Sequence, residues 1–348
     1  MNYVAPPRSD GTIQYTRKKL PWPKDRPFRI LSIDGGGIRG IFPAAYLAEI
    51  EKRFLGGASI VNHFDMIAGT STGGIIALGL AHGMSAKQVL EIYTERGDII
   101  FPSPRGFARL RQLARFLFRP KHDQSVLKGE LFRIFGDKVI NDATTRLVIP
   151  SFEGVHGEPF IYKSPHHPDY QKDRHKSFAH VALHTTAAPA YYPAVENDGH
   201  IMIDGGVWAN NPIMNALVDV LACYDVPRDN IRILSLGTGD ETLKLRNKHF
   251  NGGVNGWGIS FGVPPLFKIA ARAQSKNALG QAYLLAGKNN VVRVDVPEHH
   301  QLIGLDDVLR SKRELPLVAR AQADASGHYI QGVFLSDSVD PFHPCALR

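Results

Sequence analysis

The sequence predicts an α/β fold, a mainly parallel central sheet flanked by helices on both faces in a three-layer sandwich. Three observations carry that expectation. Short apolar runs alternate with amphipathic segments from Phe28 onward, the order that builds a parallel sheet with helical crossovers. Two glycine-rich turns fall where such a run passes into a helix. The chain has 348 residues, 43% of them hydrophobic, and only two cysteines. That is enough to bury a large core without a disulfide framework or a structural zinc site.

Taken in order, residues 1–27 form a polar leader punctuated by Pro6, Pro7, Pro21, Pro23 and Pro27, which is expected to wrap the surface. It has no apolar segment followed by a small-residue cleavage site, so it reads as mature sequence of a cytoplasmic protein. FRILSID (28–34) is a short buried strand, and 40–55 is a helix that tolerates Pro43 in its first turn. HFDMIAG is the next strand and Gly74–Ala81 the next helix, and Ser85 caps a helix reaching about Arg96. LKGELFRIF reads as a helix, TTRLVIPSFE and PFIYKS as neighbouring strands, and SFAHVALHTTAAP as a helix stopped at Pro189. HIMID, NIRILSL and NVVRVDV are later strands, with helices near 212–223, 265–286 and 315–332. The organisation expected is a leader (1–27), a main α/β domain (28–240) with a basic insertion at about 99–122, and an extension (241–348) packed on the same domain. Met66–Ala86 runs 21 residues without a charged side chain, which is membrane-spanning length. Its first half holds Gly69, Gly73 and Gly74 with Thr70, Ser71 and Thr72, so a strand, a tight turn and a buried helix explain it better.

The net charge of +8 is unevenly placed. Residues 1–29 carry +5 and residues 99–122 carry +6, leaving −3 on the remainder. A mildly acidic globule with two basic appendages excludes a uniformly basic binder of nucleic-acid polymers.

Asp34-Gly35-Gly36-Gly37-Ile38-Arg39-Gly40 lies between a strand and a helix. Glycines let the backbone approach a ligand closely, and amides at a helix start face negative charge. Gly35, Gly37 and Gly40 satisfy G-x-G-x-x-G formally, but no acidic residue ends the second strand as a dinucleotide site requires. No P-loop Gly-Lys-Ser/Thr occurs there either. By itself the motif is a cofactor site, another anion site or a plain turn. Gly69-Thr70-Ser71-Thr72-Gly73 is G-x-S-x-G in strand–turn–helix context, the setting of a nucleophile elbow, where flanking glycines permit a sharp turn that projects the Ser71 hydroxyl. The Gly35–Gly37 amides on the adjacent strand end then suit an oxyanion hole, and Arg39 would add positive charge or bind a phosphate. Asp204-Gly205-Gly206 follows the apolar HIMI. An Asp-Gly is usually a turn, but beside a serine elbow with no local histidine Asp204 leads as general base. His249, His299, His300, His328 and His343 all follow Asp204, so chain order leaves a Ser–Asp–His triad open.

Together these motifs resemble the patatin-like phospholipases, which pair a glycine-rich oxyanion motif with a G-x-S-x-G serine and an Asp-Gly-Gly/Ala aspartate used as a Ser–Asp dyad. The resemblance spans roughly residues 28–240 and includes Ala187-Ala188-Pro189-Ala190-Tyr191-Tyr192 and Asp204 through Pro212. It implies an α/β-hydrolase-related fold and a lipid acyl hydrolase needing no cofactor and no metal. Ser71 would be the nucleophile, Asp204 the base and Gly35–Gly37 the oxyanion hole. His184-Thr185-Thr186 stands where relatives more often carry Ala-Thr-Ser, a departure that would alter the wall of the site. Length, basic insertion and C-terminal extension also resemble the bacterial patatin-like effectors of antiphage signalling. That implies a cyclic dinucleotide as activator and membrane phospholipid as substrate, although no local cyclic-dinucleotide motif is visible. A homo-oligomer is compatible with the sequence.

Within the insertion, residues 106–119 separate on a helical wheel. Phe107, Leu110, Leu113, Ala114, Leu117 and Phe118 share one face, and Arg111, Arg115 and Arg119 line another. Such a helix could lie on anionic lipid at the inner face of the membrane, pack its apolar face on the core, or grip phosphates with its arginines.

Overall fold

The computed structural model describes residues 17–101, 121–239 and 265–346. The order along the chain is β1 (Leu20–Pro21), β2 (Phe28–Ile33), α1 (Ile41–Phe54), β3 (Met66–Gly69), α2 (Thr72–Ala81), α3 (Ala86–Ile100), α4 (Gln124–Phe135), β4 (Arg146–Glu153), β5 (Glu158–Lys163), α5 (Phe178–Thr185), β6 (Val195–Asn197), β7 (His200–Asp204), α6 (Gly206–Ala209), α7 (Ile213–Cys223), β8 (Tyr224–Asp225), β9 (Ile231–Leu236), α8 (Pro265–Ala286), β10 (Val291–Val294) and α9 (Val308–Phe334).

The main sheet runs β10-β9-β2-β3-β4-β7-β6, with β5 also paired to β4. From β10 to β4 the pairing is parallel, as alternating strands and helices require. Beyond β4 it turns antiparallel: β4–β5 and β6–β7 are short hairpins, and β7, reached from β5 by way of α5, runs antiparallel to β4. The central strand β2 is buried along its whole length, and its alternating side chains feed two cores. Phe28 and Ile30 join α7 and α8 on one face, together with Ile231 and Ile233 of β9. Leu31 and Ile33 join α1, α2, α3 and α9 on the other. These are the three layers.

The uncharged run after Met66 resolves into β3, a turn, and α2, whose ten residues are all buried. No helix among the described residues is long and apolar enough to cross a membrane. Ser85 caps α3 in a reciprocal capping box with Gln88. The described part of the leader is tied down: β1 pairs with β8, and buried Trp22 packs on Phe28 and Tyr224.

One helix differs from expectation. α9 starts at Val308, capped by Asp307, and carries Pro316 in its interior rather than near its start. An interior proline costs a helix about 3 kcal/mol. Here the buried face continues through Val308, Ser311, Leu315, Ala319, Ala323, Gly327, Ile330 and Phe334, so packing on α1 outweighs the lost hydrogen bond.

Candidate active site

The site lies at the carboxyl ends of β2, β3 and β9, where an open α/β sheet usually places its ligand. β3 ends at Gly69, and the chain reverses through Thr70 and Ser71 into α2. Ser71 holds φ 54° and ψ −122°, a conformation worth about 1–3 kcal/mol of strain in a residue with a side chain. Close contact on both sides maintains it: a Cβ on Gly69 would stand 2.1 Å from the Gly73 carbonyl oxygen. Ser71 N–H donates to Thr185 Oγ1 at 3.0 Å, and Thr185 donates onward to the Pro150 carbonyl at 2.6 Å. The positive end of α2 lies directly behind the serine.

Ser71 Oγ donates to Asp204 Oδ2 at 2.6 Å. Asp204 closes β7, where β4 pairs it with Ser151, and the Gly206 amide donates to its other oxygen at 2.7 Å. Burial pushes the Asp204 carboxyl up to about 6, and the Ser71 and Gly206 donors only partly oppose it. The two residues, 133 positions apart in sequence, thus meet as a hydrogen-bonded pair. None of the described residues lining the surrounding cavity is a histidine. His300 sits beside Glu314 and His328 packs edge-on against Phe54, while His249 lies outside the described residues.

The glycine turn after β2 forms the facing wall. Its three glycines differ in what their amides do. Gly35 N–H donates to the Asn210 carbonyl at 3.0 Å. The amides of Gly36 and Gly37 have no acceptor among the described residues. Gly36 presses on Thr238, where a Cβ would come within 2.3 Å of the hydroxyl, and Thr238 in turn donates to the Gly35 carbonyl at 2.7 Å. Arg39 lines the cavity, but its guanidinium braces the loops, donating to Gly36 O at 3.3 Å and Gly239 O at 2.8 Å. Arg111, Arg115 and Arg119 lie outside the described residues.

The cavity measures about 400 Å³. Ser71, Asp204 and the glycine turn meet there with an apolar wall that includes Ile75, Phe101, Leu127, Tyr191, Tyr192 and Ile303. A strained serine hydrogen-bonded to a buried carboxylate, opposite uncommitted amides and beside an apolar slot, suits attack on a carbonyl carrying an acyl chain. The family model described as patatin-like phospholipase matches residues 31–217.

The chain belongs to the patatin-like phospholipase family.

It is accordingly a hydrolytic enzyme of the phospholipase class. It is 32% identical over 335 residues to a protein of Vibrio cholerae named cGAMP-activated phospholipase, covering 89% of this chain and 93% of that one. A Pseudomonas aeruginosa protein of the same name is 37% identical over 213 residues, 61% of this chain and 62% of its own. Patatin-like protein 2 of Arabidopsis thaliana is 36% identical over 265 residues, 66% of this chain and 64% of its own.

The His184-Thr185-Thr186 stretch and the Ala187 that follows it border the site in different ways. Thr185 lies at the end of α5 and supports the Ser71 amide, and its neighbour Thr186 lines the cavity. His184 is buried against Tyr162, 2.6 Å from its hydroxyl, and so stands behind the wall rather than in it. The Ala187 carbonyl accepts from the Asp204 amide at 3.0 Å.

Proposed function

We propose that this chain is a phospholipase A-type lipid acyl hydrolase that cleaves membrane phospholipid esters through a Ser71–Asp204 dyad and is activated by a cyclic dinucleotide in antiphage defence. The observation that carries the dyad is the 2.6 Å hydrogen bond from Ser71 Oγ to Asp204, made at a strained elbow facing free amides.

In this mechanism Ser71 Oγ attacks the ester carbonyl carbon while its proton passes to Asp204 Oδ2. The carbonyl oxygen, now negative, takes up the amides of Gly36 and Gly37, and each such donor is worth about 3–4 kcal/mol. The Gly206 amide holds Asp204 Oδ1, keeping Oδ2 aimed at the serine. Collapse of the adduct expels the lysophospholipid alkoxide, which receives the proton from Asp204. Water then enters, gives a proton to Asp204 and attacks the acyl-enzyme, releasing the fatty acid and restoring Ser71. An aspartate near its ordinary acidity is a weak base at neutral pH. Burial that lifts it to about 6 brings it close to the working range.

The activation reading is supported by the Vibrio cholerae relative, whose similarity extends over almost the full length of both chains. The basic stripe at Arg111, Arg115 and Arg119 would bring the enzyme to anionic lipid from the cytoplasmic side. The test is fatty-acid release from phosphatidylethanolamine–phosphatidylglycerol vesicles with and without cGAMP. Release by the wild type only with cGAMP is expected, with none from Ser71→Ala or Asp204→Asn. Substitution of His249, His299, His300, His328 or His343 should leave activity in place; loss in one of them with folding intact overturns the dyad.

A further inference from the structure

The family match ends at residue 217, yet the glycine turn is gripped by a strand that comes 74 residues later. β10 lies beside β9, and their register places Arg293 opposite Ser235; β9 in turn places Ser235 opposite Ser32 of β2. Alternation along the strands sends the Arg293 side chain across the sheet toward the end of β2. There its guanidinium forks onto Asp34, the residue that opens the glycine turn, with Nη1 to Oδ1 at 3.1 Å and Nη2 to Oδ2 at 2.7 Å. Nη1 also donates to Ser235 Oγ at 2.8 Å, and Nη2 to Asp295 Oδ2 at 2.6 Å.

The chain of contacts then returns to the turn. Asp295 Oδ1 accepts from the Gly239 amide at 2.8 Å, and the Gly239 carbonyl accepts from Arg39 at 2.8 Å. Arg39 donates to Gly36 O at 3.3 Å. Asp34, Arg293, Asp295, Gly239, Arg39 and Gly36 thus form a ring of contacts around the turn, closed by the backbone from Asp34 to Gly36. The Asp34 and Arg293 side chains are only 5% and 14% exposed, so the pair is well shielded from water. A planar guanidinium serves two carboxylates and a hydroxyl from fixed directions, which an ammonium cannot do. Removing it would leave two carboxylates facing one another across a buried space, and the turn would shift to separate or hydrate them.

We propose that Arg293 is a positioning residue for the reaction: from the C-terminal strand it fixes Asp34, and through Asp34 and the Asp295–Gly239–Arg39 arm it aims the Gly36 and Gly37 amides at the reacting carbonyl oxygen. This rests on reading those amides as the oxyanion hole. The role lies outside the stretch that defines the family, so the extension completes the site as well as the sheet.

The test compares hydrolysis of p-nitrophenyl butyrate with that of its thiono analogue, both with cGAMP present, by full-length Arg293→Lys, Arg293→Met and Asp295→Asn. Sulfur is a poor hydrogen-bond acceptor, so the oxygen-to-sulfur rate ratio reports the oxyanion hole and does not respond to a fall in folded fraction. Misplacement of donors by about 1 Å costs on the order of 10²-fold. Arg293→Met should lose that much in kcat with KM little changed, and Arg293→Lys and Asp295→Asn less. In each the rate ratio should fall toward that of Gly36→Ala, while the acid limb of the pH profile, set by Asp204, stays in place. If Arg293→Met does not fold, the other two variants decide the matter. Folded variants with a wild-type rate ratio, whether or not kcat drops, overturn the positioning role. Ser71→Ala run in parallel separates the two levels: hydrolysis persisting there removes the serine reading, whereas a dead Ser71→Ala beside an unchanged Arg293→Lys removes only the role of Arg293.

Discussion

Replacing Asp204 by Asn should abolish turnover and, at neutral pH, stabilise the protein. Asp204 is buried, and desolvation raises its carboxyl from the ordinary 3.8 to about 6. The folded state therefore binds the Asp204 proton more tightly than the unfolded state does. That contribution to stability is fully present below about pH 4 and is lost as pH rises through about 6. At 1.36 kcal/mol for each pH unit between the two values, ionising Asp204 costs the fold roughly 3 kcal/mol by pH 7. Asn has nearly the same shape and no charge to desolvate. The assay is urea denaturation of wild type and Asp204→Asn at pH 4, 5, 6 and 7, read as the difference between the two proteins so that every other titrating group cancels. The difference should move by roughly 2.4 kcal/mol in favour of Asn between pH 4 and 7, with most of the change between pH 4 and 6. Parallel curves would refute the claim that a desolvated, ionised Asp204 is held at the site against its own preference.

The same shift fixes the activity profile: kcat should rise with pH through an apparent pKa of about 6 as Asp204 becomes available as a base, measured on a soluble ester to avoid pH effects on vesicles. Thr185→Val removes the acceptor for the Ser71 amide and the donor to Pro150. It should cost about 1–3 kcal/mol of stability by thermal denaturation and reduce kcat more than it raises KM. Exchanging Arg111, Arg115 and Arg119 together for Gln should weaken binding to anionic vesicles by about 10²-fold, at about 1 kcal/mol per basic side chain, and flatten its salt dependence. Soluble-ester hydrolysis should be unaffected; unchanged vesicle binding would exclude the stripe as the membrane contact.

How much of this was legible in the sequence follows from how local each signal is. The elbow is a five-residue motif with a strand before it and a helix after it; Gly69 is dictated by contact with Gly73 inside the turn and Gly73 by the end of β2 against it, so Gly69, Ser71 and Gly73 announce themselves. Asp204 was legible by position, at the end of an apolar strand beside two glycines. The commitment of the Gly35 amide to Asn210 was not, because it depends on how two distant turns meet. Arg293 reaches Asp34 across 259 residues and reads in the sequence as an ordinary charge in a strand. α9 begins at Val308, earlier than the helix expected near 315–332, and the apolar stripe packed on α1 explains why it runs through Pro316. The antiparallel edge was hidden because the pairing of β7 with β4, across α5 and the β6–β7 hairpin, is tertiary information.

The central claim is that Ser71, activated by Asp204, forms the covalent intermediate. It is tested most directly by labelling the full-length protein with a fluorophosphonate in the presence of cGAMP and mapping the adduct by peptide mass spectrometry. The account predicts one adduct per chain, on Ser71, absent in Ser71→Ala and much slower to form in Asp204→Asn. An adduct on another residue, or continued lipid hydrolysis by Ser71→Ala, would contradict it.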